Sequence, residues 1–217
     1  MLEVTGLSKG FGKREVFREV TFSIGTGETV AITGESGSGK SVLARCIAGI
    51  SRPTAGHVNF HGGRGRMQML FQDSDGSLNP RMTVREILEE PLRILALPRT
   101  TKHIGRLLDS VSLPASILNR CPRALSGGQR QRVAIARALA PEPSLLIADE
   151  PAASLDPSLQ AETFLLLQER RRGGNLSLLL ISHNRDVVRL MASRVLTMAG
   201  GRLTPAPLPG HIIPPVA

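Results

Sequence analysis

Apolar and polar positions alternate over Leu2-Glu3-Val4-Thr5 and again over Val20-Thr21-Phe22-Ser23-Ile24. This predicts two antiparallel strands, with Gly10-Phe11-Gly12 and Gly25-Thr26-Gly27 as turns. Thr29 to Thr33 is a short apolar run, the pattern of a buried strand. It leads into a glycine-rich turn from Gly34 to Gly39 and a helix from Lys40 to about Ile50. Arg52 to Gly56 reads as a turn, and Met67 to Phe71 as another buried strand. From Thr83 to Leu118 the period becomes helical: Val84, Ile87, Leu88, Leu92 and Leu95 recur at three- and four-residue steps, as do Ile104, Leu107, Leu108 and Val111. Pro98, Pro114 and Cys121-Pro122 punctuate this segment. Ser126 precedes a helix from Gly127 to about Leu139, and Ser144 to Ala148 is a short apolar strand. Asp156-Pro157 is an N-cap with proline at the first helical position, and Gly173-Gly174 supplies the stop. A strand at Leu176 to Ile181, a helix from about Asp186 to Met191 and a strand at Val195 to Met198 close the pattern. Strands alternating with helices predict an α/β fold with a parallel sheet, preceded by a small antiparallel β subdomain. One domain over residues 1–204 is expected, with a helical insertion at about 80–139. Residues 205–217 hold five of the 15 prolines and read as a flexible tail.

Composition narrows the reading. Hydrophobic residues make up 41% and charged residues 21% of 217, a globular balance. The net charge is +9, carried mostly by arginine, since only Lys9, Lys13, Lys40 and Lys102 are lysines. Nucleic acid, an anionic membrane face or a phosphate-rich ligand would each answer that charge. With six Phe and no Trp or Tyr, recognition of single strands by aromatic stacking is disfavoured. Cys46 and Cys121 have neither the number nor the spacing of a disulfide framework or zinc site. The first residues lack the apolar run of a secretion signal. The longest apolar run, Leu176 to Ile181, is far short of the ~20 residues of a spanning helix.

Chemistry concentrates at three places. Gly34-Glu35-Ser36-Gly37-Ser38-Gly39-Lys40-Ser41 fits G-x-x-x-x-G-K-[ST] between a strand and a helix. Its glycines let backbone N–H groups form a nest for phosphate oxygens, and the helix adds its positive dipole end. Lys40 is expected at the β- and γ-phosphates, and Ser41 at Mg²⁺. The apolar strand before Asp149-Glu150 ends in two carboxylates, which suits a site in the crevice at the sheet's carboxyl edge. Asp149 is expected to hold Mg²⁺ through water, and Glu150 to orient and polarise an attacking water. Leu125-Ser126-Gly127-Gly128-Gln129 begins a second helix with an anion-binding end. Two such ends raise the possibility that the second serves another subunit's nucleotide.

Taken in order, these motifs resemble those of ATP-binding-cassette (ABC) ATPases, from about residue 1 to about residue 203. The order includes the phosphate loop, Gln72 after a strand, LSGGQ at 125–129, Asp149-Glu150, Ser154-Leu155-Asp156 and His183 after the last core strand. The resemblance implies a P-loop NTPase core binding ATP and Mg²⁺. Phe11 would stack on adenine, and Val42 would lie beside the phosphates. Gln72 would reach Mg²⁺ and the attacking water and report to a membrane subunit. Ser126, Gly127, Gly128 and Gln129 would close over the γ-phosphate held by a partner cassette, and Asp156 would cross that interface. His183 would contact the γ-phosphate and position the water with Glu150.

The segment Phe71-Gln72-Asp73-Ser74-Asp75-Gly76-Ser77-Leu78-Asn79-Pro80-Arg81, with Met82-Thr83-Val84 and Glu90-Pro91-Leu92, is similar to cassettes of dipeptide, oligopeptide and nickel or metal-chelate importers. That likeness implies an ATP-hydrolysing import subunit working with a second cassette, as a heterodimer or alternatively a homodimer. Two transmembrane permease subunits, and indirectly an extracytoplasmic solute-binding protein, complete the expected set. The expected place is the cytoplasmic face of the inner membrane, as a peripheral subunit, without a nucleic-acid partner. Val42 stands where many cassettes have a threonine, a loss of one hydrogen bond worth about 0.5–1.5 kcal/mol. Ala152-Ala153, Asn184 and Arg123-Ala124 also depart from the usual pattern. A soluble ABC ATPase acting on nucleic acid or ribosomes is the alternative. A P-loop kinase or GTPase would leave LSGGQ and His183 unexplained, and a regulatory module without turnover would leave Glu150 and His183 unexplained.

Overall fold

A computed structural model describes residues 1–209 apart from 13, 64, 73, 154 and 173–175. In chain order the strands are β1 (Leu2–Phe11), β2 (Arg14–Ile24), β3 (Thr29–Thr33), β4 (Ala55–Phe60), β5 (Met67–Leu70), β6 (Leu145–Asp149), β7 (Ser177–Ile181), β8 (Arg194–Ala199) and β9 (Arg202–Ala206). The helices are α1 (Lys40–Ile47), α2 (Ser74–Ser77), α3 (Val84–Ile94), α4 (Thr101–Ser110), α5 (Gly127–Leu139), α6 (Pro157–Arg172) and α7 (Arg185–Met191). Two sheets form, one of three strands in the order β2-β1-β4 and one of six in the order β5-β6-β7-β3-β8-β9.

The larger sheet is parallel except for β9, which returns antiparallel along β8. Its central strands β3, β6 and β7 are buried at nearly every position, with apolar residues between polar ends, because both faces are covered. Successive side chains point to opposite faces. Leu145, Ile147, Leu179 and Ile181 therefore pack with α1 and the small sheet, whereas Leu146, Ala148, Leu178 and Leu180 pack with α3 to α6. The helical insertion is tied to this second layer by Val84, Ile87, Leu88, Ile104 and Leu108, all at most 1% exposed. Thr83 starts α3 with a reciprocal capping box, Glu86 N–H to Thr83 Oγ1 and Thr83 N–H to Glu86 Oε2.

Several elements differ from the sequence reading. Strand β1 continues through Lys9-Gly10-Phe11, so the turn falls after the aromatic ring rather than around it. Strand β4 begins inside the segment read as a turn; its residues are mostly exposed because it is an edge strand, paired only with β1. Strand β9 runs to Ala206, two residues into the segment read as tail. Its Pro205 is accommodated because β9 is also an edge. The stop at Gly173-Gly174, Ser154, Arg64 and residues 210–217 lie outside the described residues.

The arginines along α5 join elements of the fold. Arg130 donates to the Leu125 carbonyl, and Arg132 bonds Glu162 of α6 at 2.6 Å. Arg137 bonds Glu90 of α3 at 2.9 Å and the Ser77 carbonyl at 3.0 Å. Elsewhere, Arg66 donates to the Glu142 carbonyl, and Arg171 to Thr29 Oγ1 and the Met191 carbonyl. Guanidinium suits such ties because its fork serves two acceptors at once. Arg137→Ala is expected to lower stability in chemical denaturation by about 1 kcal/mol, since the ion pair is partly solvated. Its ATP affinity, read by calorimetry, should match the parent's.

Candidate active site

The register of the large sheet brings three loops together. Ile32 of β3 pairs with Ile181 of β7, and Ile181 pairs with Asp149 of β6, so three neighbouring strands end level. The phosphate loop follows β3, Glu150 follows β6 and His183 follows β7, all at the carboxyl edge where open α/β sheets place their ligands. A cleft of about 880 Å³ opens there. Phe11, Gly34, Glu35, Ser36, Gly37, Gly39, Lys40, Ser41, Val42, Gln72, Glu150 and His183 line it, which unites most of the predicted set. Arg14, Glu15, Val16 and Ile181 line it too and were not anticipated. Arg14, Glu15 and Val16 are there because β2 leaves the turn directly beside Phe11, and Ile181 because it ends β7.

Gly34 is at φ +140°, and a Cβ there would collide with the Met198 carbonyl oxygen. The phosphate loop thus rests on β8 at a point where only glycine fits. Helix α1 starts on Gly39 with no side-chain cap. Lys40, 8% exposed, donates to the carbonyls of Gly34 at 2.8 Å and Glu35 at 2.7 Å, and to Ser38 Oγ at 3.4 Å. Its ammonium is therefore held at the loop by neutral oxygens.

Ser41 Oγ donates to Asp149 Oδ1 at 3.0 Å. Asp149 is 2% exposed, and burial pushes its carboxyl above the ordinary aspartate range. The Ser41 hydroxyl partly offsets this, while the neighbouring Glu150 charge adds to it. A hydroxyl and a reluctantly ionised carboxylate in contact form a donor set that a divalent cation would satisfy. No group of three or more His, Cys, Asp or Glu gathers among the described residues. The pair therefore suits magnesium, which keeps waters and takes phosphate oxygens, better than a metal needing an all-protein cage.

A carboxyl held up in the folded state favours folding while protonated. That contribution is complete below the unfolded-state pKa and is lost as pH rises through the folded-state value. Asp149→Asn should therefore melt above the parent at pH 8 without magnesium nucleotide. The gap should close as pH falls toward the ordinary aspartate range. Thermal melts across pH test this; a variant that melts lower at pH 8 contradicts it.

Glu150 follows with φ +48°, a left-handed conformation unusual for a non-glycine residue. Its N–H bonds the Ile181 carbonyl at 3.0 Å, and its Oε1 accepts from the His183 backbone N–H at 3.2 Å and from His183 Nδ1 at 2.7 Å. A carboxylate only accepts, so Nδ1 carries the proton and Nε2 is left for another partner. The His183 side chain is 73% exposed, whereas that of Glu150 is 12% exposed. The next residue is held from below: Gln131 of α5, 1% exposed, donates its Nε2 to the Pro151 carbonyl. The sequence reading assigned Gln131 no role, because nothing in its spacing distinguishes it from its polar neighbours.

Ser126 to Gln129 and Asp156 do not line this cleft. Ser126 Oγ accepts from Gln129 N–H and Gln129 Oε1 from Ser126 N–H, a capping box that leaves Ser126 and Gly127 exposed at the start of α5. Gly128 lies against Leu159 of α6, whose Cδ1 would be 2.7 Å from an added Cβ. Asp156 Oδ1 accepts from the N–H groups of Ser158 and Leu159, the predicted cap of α6. Asn184 caps α7 through Asp186 N–H and Val187 N–H, so an amide fills that position without loss of its structural task.

The sequence profile of the ABC transporter family matches residues 17–153, more than half of the chain. The chain belongs to the ABC transporter family. It is an ABC ATPase with the α/β fold of that family. A curated relative, the nickel import ATP-binding protein NikE of Brucella suis, is 42% identical over 207 residues, covering 88% of this chain and 78% of its own. A putative peptide import ATP-binding protein of Brucella ovis is 40% identical over 223 residues, covering 94% of this chain and 70% of its own. Among solved structures, a dimeric post-hydrolysis state of the ATP-binding cassette MJ0796 bound to ADP and Pi superposes with a TM-score of 0.84 at 28% identity, covering 94% of this chain and 96% of that one. CbiO1 of Clostridium perfringens, part of the transporter complex cbiONQ, gives 0.82 at 29% identity, covering 96% and 88%. No helix among the described residues is long and apolar enough to cross a membrane.

Proposed function

We propose that this cassette hydrolyses ATP to drive an importer for peptides or for nickel and other metal chelates, as one half of a dimer that sandwiches two ATP molecules. The observation that carries the dimer is the separation of the two anion-binding helix ends. Phosphate loop, Glu150 and His183 share one cleft, while the exposed Ser126 end of α5 contributes nothing to its lining. A partner's copy of that end would complete the cleft over the γ-phosphate. The import reading draws on relatives that carry nickel or peptide import in their names, at about 40% identity. A heterodimer with a second cassette is the favoured arrangement.

In this reading Lys40 exchanges its loop carbonyls for β- and γ-phosphate oxygens, and backbone N–H groups of 34–41 cradle the phosphates. Phe11 receives the adenine. Glu150 takes a proton from the attacking water, held in place by His183 Nδ1–H, and His183 reaches a γ-phosphate oxygen from Nε2 as the doubly protonated ring, since a phosphate oxygen only accepts. Ser41 and Asp149 would hold Mg²⁺, which would neutralise charge at the phosphates. Gln72 lines the cleft, from where it would reach Mg²⁺ and the attacking water and report to a membrane subunit.

A second, more apolar groove of about 290 Å³ runs between Met69 and Phe71, Pro91 and Ile94 of α3, and Ala134 of α5. Ile50 and Ile94 stand exposed at its rim. It borders the importer-like segment that follows Phe71, and permease docking there would put the cassette on the cytoplasmic face of the inner membrane. The test is purification of the tagged protein from solubilised membranes. Two permease chains and a second cassette should copurify, and the ligand of the associated solute-binding protein would identify the cargo. Tight, salt-sensitive binding to DNA or RNA with no membrane partner would overturn the importer in favour of the soluble alternative.

A further inference from the structure

Lys9 has no part in the functions so far described, yet its ammonium lies 4.7 Å from the centroid of the Phe11 ring, over one face. The two residues are i and i+2 on β1, so the strand's period puts both on the same side. The same Nζ donates to the Arg52 carbonyl at 2.7 Å. Around this bond, Gly10 N–H reaches Thr54 Oγ1 at 3.0 Å and Thr54 N–H reaches the Ser8 carbonyl at 2.8 Å. The end of β1 is thereby fastened to the loop that follows α1. Phe11 itself is 58% exposed and borders the nucleotide cleft.

We propose that Lys9 is a positioning and specificity residue for the nucleotide base: its cation holds the Phe11 ring from one face and draws electron density from the other, which then stacks on adenine. This rests on the reading of Phe11 as the adenine platform. A cation on one face of a phenyl ring lowers the negative potential of its π cloud, and stacking of an electron-rich purine on the opposite face improves. The anchor to Arg52 fixes the ammonium, so that little ordering remains to be done when the base arrives.

Calorimetric titration of ATP and of tripolyphosphate, which has no base, tests the proposal. The variants are Phe11→Ala, Lys9→Met, Lys9→Gln, which keeps a donor without charge, and Lys9→Arg, which keeps both. Lys9→Met and Lys9→Gln should weaken ATP by about two- to fivefold. Lys9→Arg should bind ATP like the parent, and none of the four should change tripolyphosphate affinity. In the Phe11→Ala background, Lys9→Met should have no further effect. If Phe11→Ala leaves ATP affinity unchanged, the platform reading itself fails. If Phe11→Ala weakens ATP and Lys9→Met does not, the platform stands and the role of Lys9 falls. If Lys9→Gln binds ATP like the parent while Lys9→Met does not, the hydrogen bond matters and the cation does not. Equal weakening of ATP and tripolyphosphate would make Lys9 a phosphate contact, which also overturns the proposal.

Discussion

Glu150→Gln is expected to reduce ATP turnover by about 10²–10⁴-fold, the range for loss of a positioned general base, while ATP still binds. The geometry explains why the loss should be confined to chemistry. The Glu150 oxygen that accepts from His183 at 2.7 Å can be replaced by an amide oxygen that accepts the same bond. The loop beneath, held through Ile181 and through Gln131 to Pro151, does not depend on the carboxylate charge. What the amide cannot do is take a proton from water. Where this chain pairs with itself, ATP bound without turnover should hold two copies together, so light scattering should show a dimer with ATP and not with ADP. Hydrolysis at the parental rate would remove Glu150 from the mechanism. A monomer in ATP with hydrolysis abolished would leave the chemistry standing and remove the homodimeric sandwich, directing attention to a second, different cassette.

Gly34→Ala should have the largest effect on both stability and binding. At φ +140° an alanine is strained wherever it sits, and here its methyl meets the Met198 carbonyl while Ser38 Oγ is 3.2 Å away. Backbone strain and overpacking each cost about 1–3 kcal/mol, so the melting temperature should fall by roughly 5–15 °C. Relief can come only by moving the loop off β8, which withdraws the Gly34 carbonyl from Lys40 and misaligns the phosphate nest. Loss of one or two charge-assisted phosphate bonds corresponds to about ten- to a hundredfold weaker ATP binding. Thermal melts and calorimetry on the same preparation measure both. Parental values in each would mean that the loop has room the structure denies it.

Much of this molecule is legible in its sequence where a single physical requirement governs several positions. The apolar runs of β3, β6 and β7 announce strands covered on both faces, and Asp156-Pro157 starts α6 where a cap and a preset φ coincide. The phosphate loop is legible for the same reason: glycine spacing, strand and helix all specify one conformation. Edges are harder. In β4 the residues Ala55-Gly56-His57 carry little apolar signal because one side of the strand faces solvent, and β9 hides behind Pro205. Arginine partners are harder still. Whether Arg132 or Arg137 meets a phosphate or a glutamate is decided by the packing of α5 against α3 and α6, which no local pattern encodes. The same holds for Gln131, whose buried amide reaches Pro151 across a helix-to-loop contact.

The order β5-β6-β7-β3-β8-β9 also fixes when the nucleotide site can exist. Strand β3, which carries the phosphate loop, leaves the ribosome long before both its neighbours in the sheet, β7 and β8. Until residues 177–199 emerge, β3 has no strand to pair with on either side and Gly34 has no Met198 to rest on. Such long-range pairing is slow to form and leaves apolar strands waiting. During synthesis the ATP site is therefore assembled only once β7 and β8 have emerged, and a chain able to grip ATP is one in which β3 already lies between them.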